Sequence, residues 1–142
     1  MQFYIIHEDP IINAYTLPEY ALQKVNIREG WQIMSDIGHR FGVTWEGQNK
    51  PYSPTHAFTR SLSHASAFLR FFKHYEACCN AYRNRYGKSR AEIDSFVAAR
   101  NDIKRIVSRL PDTPTAETAD YLLTAKQKHL TNRDVANLGK LV

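Results

Sequence analysis

Cysteine and long apolar runs are scarce in this sequence, and each shortage excludes a class of protein. The chain has two cysteines, Cys78 and Cys79, next to each other. On a helix neighbouring side chains point about 100° apart, so we expect no disulfide between them and a reducing compartment. No apolar run approaches the roughly 20 residues that a membrane-spanning helix needs. The opening residues, MQFYIIHEDP, have no basic start and no long apolar core, so we predict no signal peptide and a cytoplasmic location.

The motifs of several common enzyme classes are also missing. The sequence contains no Walker loop, no GxGxxG, no CxxC pair, no HExxH and no GxSxG elbow. Cysteine nucleophile chemistry is disfavoured because both cysteines fall in an apolar helical pattern. Catalysis would therefore depend on carboxylate, histidine and lysine side chains, and we expect no cofactor.

What is present predicts a helical domain. The chain has 142 residues, of which 43% are hydrophobic, so we predict one helical domain over residues 1–142. The strongest helix pattern runs from Ser61 to Tyr86 without glycine or proline. Its apolar positions recur every three or four residues, except where Glu76 stands in the apolar seam. A helix with so wide an apolar face must be covered by neighbours, so we expect it at the centre of a bundle.

The remaining pattern predicts shorter helices around this central one. Residues 2–7 are apolar and β-prone, but a lone strand has no partner, so an extended segment is an equal interpretation. Glycine, proline and capping residues place further helices at about 10–15, 16–41, 89–110 and 115–130. We therefore predict an all-α fold, a compact bundle of four to five helices with a short extended N-terminal segment.

One polar row stands out on the helix predicted over residues 16–41. Glu29, Gln32, Asp36 and His39 are spaced by three, four and three residues, so they share one helix face. A buried carboxylate has a raised pKa and can exchange protons near neutral pH, which makes Glu29, with Asp36 and His39, our catalytic candidates. The alternatives are a solvated stripe or, for Glu29, an ion pair with a cation such as Lys24. Two ligands make a weak metal site, so we predict no metal.

The loop that follows this helix is rich in polar and aromatic side chains. Glycines and prolines break any helix between Gly42 and His56. Long loops between packed helices often carry function. The candidate ligand contacts here are Gln48, Lys50, Tyr52, His56 and Arg60. The alternative is a structured connector with Trp45 docked on the core.

Charge points to an anionic partner. The net charge is +5, and between Arg60 and Arg90 cations, including Arg83, alternate with tyrosines. Cations interleaved with aromatic rings suit phosphate and base contacts, which favours DNA or a nucleotide-like ligand. The alternative is that the charge only promotes solubility. A homo-oligomer is compatible with the composition, because the aromatic residues exceed what one small bundle hides easily.

The order of these segments resembles that of a group of small phage-encoded proteins. The resemblance covers roughly residues 3–88. It rests on Asp9-Pro10, the helix with Lys24, Glu29 and Gln32, the Lys50-Pro-Tyr52…Thr55-His56 loop, and the ending Arg85-Tyr86-Gly87-Lys88. These proteins are in turn distantly similar to the phage pyrimidine-dimer DNA glycosylases.

The resemblance implies a small basic helical enzyme that excises damaged or modified bases. Such glycosylases attack the sugar with the N-terminal amino group, forming a Schiff base. Glu29 matches their assisting glutamate by position, and Arg28 matches a phosphate-binding arginine. This sequence departs from the pattern in three ways: Gln2 should leave Met1 in place, Leu22 stands where the family has a histidine, and no aromatic tail follows Tyr121.

Two functions therefore compete. The first is an enzyme acting on DNA or a nucleotide, in the cytoplasm of the host cell if the protein is phage-encoded. The second is a non-catalytic binder that sequesters a nucleotide signal or contacts a host defence protein. A DNA-binding accessory protein using the face between Arg70 and Lys88 is a third hypothesis. We expect no membrane partner for any of them.

Overall fold

The computed structural model describes residues 3–51, 59 and 62–112, which form an all-α bundle of four helices. Helix α1 is Pro10–Thr16. Helix α2 begins as a π-helix, Ala21–Glu29, and continues as the α-helix Gly30–Arg40. Helix α3 is Ala65–Tyr86, and α4 is Ala91–Lys104, which ends in the 3-10 turn Arg105–Arg109. The all-α prediction is confirmed, and no strand occurs within these ranges.

The four predicted helices that fall on these residues all exist, close to their expected bounds. The helix predicted at about 115–130 lies outside the described residues, so the single domain over residues 1–142 stays a prediction. No helix in the described part of the chain is both long enough and apolar enough to cross a membrane.

Helix α3 is the central helix, as its sequence predicted. Its side chains supply much of a buried aromatic cluster: Phe68, Phe71, Phe72, Tyr75 and Tyr82 are all at most 2% exposed. Partners from other elements complete the cluster, since Phe3 lies 4.8 Å from Phe71 and Phe96 lies 5.1 Å from Tyr75 between ring centres. The homo-oligomer stays a prediction.

The N-terminal segment is extended, and the described part of the chain offers it no neighbouring strand. Phe3, Tyr4 and Ile5 are buried, so their backbone groups need partners inside the protein. The Asn26 amide supplies them: its Oδ1 accepts from the Tyr4 N–H (2.7 Å) and its Nδ2 donates to the Tyr4 carbonyl (3.0 Å). Asn13 also donates to that carbonyl and accepts from the Ile6 N–H. The side chains of Asn13 and Asn26 thus supply the backbone hydrogen bonds that an adjacent strand would otherwise make.

The π-helical start of α2 was not predicted, because its sequence reads as an ordinary helix. π-Helical geometry is rare and mostly limited to single turns, whereas this segment covers nine residues. Contacts from distant segments accompany it. The Tyr75 hydroxyl donates to the Ile27 carbonyl at 2.9 Å, and the rings of Phe3 and Tyr75 pack against Gly30, where a Cβ would meet them at 3.0 Å.

Two arginines satisfy the carbonyls at helix ends. Arg85 Nη1 donates to the carbonyls of Ala14 and Leu17, at the end of α1. Arg109 Nη1 donates to the carbonyls of Phe41 and Gly42, at the end of α2. Helix C-termini leave carbonyls without partners and favour positive charge. These two cations are therefore part of the fold.

Candidate functional site

The polar row on α2 is a partly buried constellation and not a solvated stripe. Glu29 ends the π-helical part, and Gln32, Asp36 and His39 follow on the α-helical part. Glu29, Gln32 and His39 are half-buried, and Asp36 is only 5% exposed. The alternative of a plain solvent-facing stripe is therefore wrong. The row is covered in part by residues 43–51 and by Thr59.

Asp36 is the most deeply buried carboxylate among the described residues. The Thr59 hydroxyl, itself 1% exposed, donates to Asp36 Oδ2 at 3.0 Å. A buried carboxylate is costly unless it is hydrogen-bonded, so this contact helps to hold an acid inside the bundle. Thr59 was missed by the sequence reasoning. The only signal for it was its place beside Arg60, which had been named for its charge.

His39 is joined to the loop backbone. Its Nε2 lies 2.8 Å from the Asn49 carbonyl, which can only accept, so the proton of the neutral ring resides on Nε2. The Asn49 N–H donates in turn to Ser35 Oγ on α2 at 3.1 Å. Nε2 therefore holds the loop against α2, and Nδ1 is the atom left for proton transfer. A catalytic role for His39 stays a prediction.

The side-chain amide of Gln48 is hydrogen-bonded to backbone groups of the protein. Its Nε2 donates to the carbonyls of Ser35 (2.9 Å) and Val43 (3.2 Å), and its Oε1 accepts from the Trp45 N–H. Both amide hydrogens are used, so this geometry does not support the predicted ligand contact. Trp45 packs on Gly38 and lies 6.0 Å from Trp31 between ring centres. Trp45 is therefore docked on the core, as the alternative expected, whereas residues 52–56 of this loop lie outside the described residues.

Most arginines of α3 and α4 are paired. Glu76, the charge in the apolar seam of α3, forms a two-pronged ion pair with Arg100 of α4. Further pairs, at 2.6 to 3.9 Å, are Arg70–Glu8, Arg83–Asp94, Arg90–Glu92 and Arg105–Asp102. Arg83, a predicted ligand contact, is 40% exposed in the longest of these. Within the basic face predicted between Arg60 and Arg90, Arg70 and Arg83 are therefore paired, whereas Lys73 and Lys88 are exposed and have no acidic partner among the described residues.

Exposed cations also lie around α2. Lys24, Arg28 and Lys50 are exposed, and within the described ranges none has an acidic partner, a property that they share with Lys73, Lys88 and Lys104. Lys24 and Arg28 lie before the polar row along the helix. Lys50 directly follows Asn49, whose backbone contacts His39 and Ser35. Positive charge thus stands at both ends of the row.

Three predicted ligand contacts, Tyr52, His56 and Arg60, lie outside the described residues. No three histidine, cysteine or acidic side chains converge on a potential metal position in the part of the chain that the structure describes. Comparison with known protein families, with curated proteins and with solved structures finds no match. The resemblance to phage proteins and pyrimidine-dimer glycosylases therefore stays a prediction.

Proposed function

We propose that the protein is a phage-type, DNA- or nucleotide-directed protein that binds its ligand beside the polar row of α2. The observation that carries the proposal is the placement of exposed, unpaired cations at both ends of that row, while the arginines of α3 and α4 are mostly paired. A phosphate-bearing ligand is attracted by unpaired cations and gains little from neutralised ones. The partly buried carboxylates between the cations would then face the sugar or the base.

In its catalytic form, the proposal is a glycosylase-like reaction on damaged or modified bases. Glu29 is the acid/base candidate because it lies near the N-terminal segment. Phe3 of that segment packs on Gly30, the residue that follows Glu29. The amine that would form the Schiff base is either the N-terminal amino group or a lysine at the row, Lys24 or Lys50. Borohydride would convert such an adduct to a stable amine.

The test is incubation of the purified protein with DNA carrying abasic sites or modified bases, with borohydride present. Mass spectrometry would follow released bases and locate any adduct on the chain. We expect Glu29→Gln to slow base release at least 100-fold, since acid/base catalysis contributes about 10²–10⁴-fold. Glu46→Gln, on an exposed loop carboxylate, is the matched control. Base release that survives in Glu29→Gln would remove Glu29 from the reaction.

A second candidate is a non-catalytic binder that sequesters a nucleotide signal or contacts a host defence protein. The observation that favours it is the use of Gln48 and of His39 Nε2 in holding the loop, which leaves fewer side chains for chemistry. Thermal shift with a nucleotide panel that includes cyclic dinucleotides would show a stabilising ligand, and mass spectrometry would then recover it intact.

Lysine variants decide where such a ligand binds. We expect Lys50→Gln to weaken binding about 5- to 10-fold, as loss of one charge-assisted phosphate contact does. Lys104→Gln is the control, because Lys104 is an exposed lysine at the end of α4. Equal losses in the two variants would mean that general charge, and not this site, attracts the ligand.

A further inference from the structure

The turn between α1 and α2 carries two exposed tyrosines beside two cations of the proposed site. Tyr15 and Tyr20 are 42% and 57% exposed, and they are the exposed aromatic residues within the described ranges. Lys24 and Arg28, both exposed, follow Tyr20 at intervals of four residues. We name these four residues the tyrosine edge.

Three members of the tyrosine edge share one face of α2. Tyr20, Lys24 and Arg28 are exposed, whereas the residues between them are mostly buried: Ala21, Leu22, Val25, Asn26 and Ile27. The Lys24 ammonium lies 5.8 Å from the centre of the Tyr20 ring. An aromatic face and two positive charges therefore form a continuous line along the helix surface.

Tyr15 is held at the other side of the turn. The Asn84 side chain donates to the Tyr15 hydroxyl at 2.8 Å. Arg85 fixes the turn itself through the carbonyls of Ala14 and Leu17. A ring held by contacts loses little conformational freedom when a ligand stacks on it. Glu19 is the acidic residue within this turn, and it is the feature that opposes an anionic ligand.

We propose that the tyrosine edge binds single-stranded nucleic acid, with unpaired bases stacked on Tyr15 and Tyr20 and phosphates on Lys24 and Arg28. This inference rests on the proposed function and deepens it by assigning the form of the nucleic acid. Bases inside a duplex are already stacked on each other and cannot lie flat on a tyrosine ring. Aromatic rings interleaved with cations therefore favour an unpaired strand.

Fluorescence anisotropy of a labelled oligothymidine of about 12 nucleotides, over a series of salt concentrations, tests the inference. We expect the single strand to bind at least 10-fold more tightly than a duplex of equal length. Tyr20→Ala should weaken binding about 5- to 150-fold, the range for loss of one stacked base, and Tyr20→Phe should retain affinity. Lys24→Gln and Arg28→Gln should each reduce the slope of log affinity against log salt by about 0.7.

The controls lie away from the edge. Val97→Ala removes an exposed apolar side chain of α4, and Lys104→Gln removes an exposed charge from the same helix. Both should bind as the unchanged protein does. An abasic strand of the same length, which keeps the phosphates and lacks the bases, should lose the Tyr20 dependence.

Two results would overturn the inference: equal affinity for duplex and single strand, or unchanged affinity in Tyr20→Ala. If ligand binding depends on Lys50 or Glu29 while Tyr20→Ala is neutral, the proposed function stands and this inference fails. If no nucleic acid and no nucleotide binds the protein at all, both fail.

Discussion

The two halves of α2 are held in place by different means. The π-helical half, Ala21–Glu29, depends on polar contacts with distant segments, through Asn26 to Tyr4 and through Ile27 to Tyr75. The α-helical half, Gly30–Arg40, has eight of its eleven residues buried and is covered by the loop that follows it. Only the second half follows from its own apolar pattern, so the geometry of the first half must come from its partners.

The largest effect should come from removing Asn26. In Asn26→Ala the buried Tyr4 N–H loses its partner, and the N-terminal segment loses its main link to α2. An orphaned buried donor costs about 1–3 kcal/mol, and the cavity adds to this. We expect a loss of about 3 kcal/mol in the free energy of unfolding, measured by urea denaturation. Asn101→Ala, at an exposed position on α4, should change it by less than about 0.5 kcal/mol.

Acid should lower the free energy of unfolding through His74, a buried histidine of α3. Burial, aided by the Arg70 charge and opposed by Glu8 and Asp9, lowers the pKa of His74 from 6.5 to about 4. The folded state therefore keeps His74 neutral while the unfolded chain takes up a proton below pH 6.5. Its contribution is complete above pH 6.5 and is lost as pH falls toward 4, by up to about 3 kcal/mol.

Urea denaturation between pH 7 and pH 4 measures this loss. His74→Leu removes the titrating group and should flatten the profile over that window, because Leu has a similar volume and no proton to gain. His7→Leu, on a half-buried residue near the start of the chain, is the comparison. An unchanged pH profile in His74→Leu would mean that other groups carry the acid sensitivity.

Two glycines compare the start of the α-helical half of α2, where it joins the π-helical half, with its later part. A Cβ on Gly38 would lie 2.6 Å from the Trp45 ring and from Gln48 Nε2, whereas one on Gly30 would lie 3.0 Å from ring carbons. Overpacking costs about 1–3 kcal/mol, and alanine returns up to about 1 kcal/mol of helix propensity. We expect Gly38→Ala to lose about 2 kcal/mol and Gly30→Ala to be less affected, by thermal or urea unfolding. A larger loss in Gly30→Ala would reverse this comparison.

The smallest effect should come from Tyr75→Phe. The change removes one hydrogen bond to the Ile27 carbonyl and keeps the ring in place, so we expect a loss of about 1 kcal/mol. Amide hydrogen exchange should quicken in residues 21–29 and remain unchanged in residues 30–40. Equal changes in both halves would show that the π-helical segment does not depend on this contact. Ser108→Ala, at an exposed position, is the control variant.

The candidate site was predictable in part. Spacing placed Glu29, Gln32, Asp36 and His39 on one face, because helix periodicity is a local property. The spacing did not show that Thr59 would donate to Asp36, or that His39 Nε2 would donate to the Asn49 carbonyl. Those contacts join residues 10 to 23 positions apart, and their pairing depends on how the loop folds back over α2.

The sequence by itself determined the helices and the central place of α3, since apolar spacing, caps and breakers act over a few residues. Only the tertiary structure decided which polar groups pair with each other. Glu76 pairs with Arg100. Arg85 and Arg109 donate to the carbonyls at helix ends, and two asparagine side chains bind the backbone of Tyr4 as a neighbouring strand would. A charge or an amide has many possible partners along the chain. Packing of the apolar faces decides which of them comes within hydrogen-bonding distance.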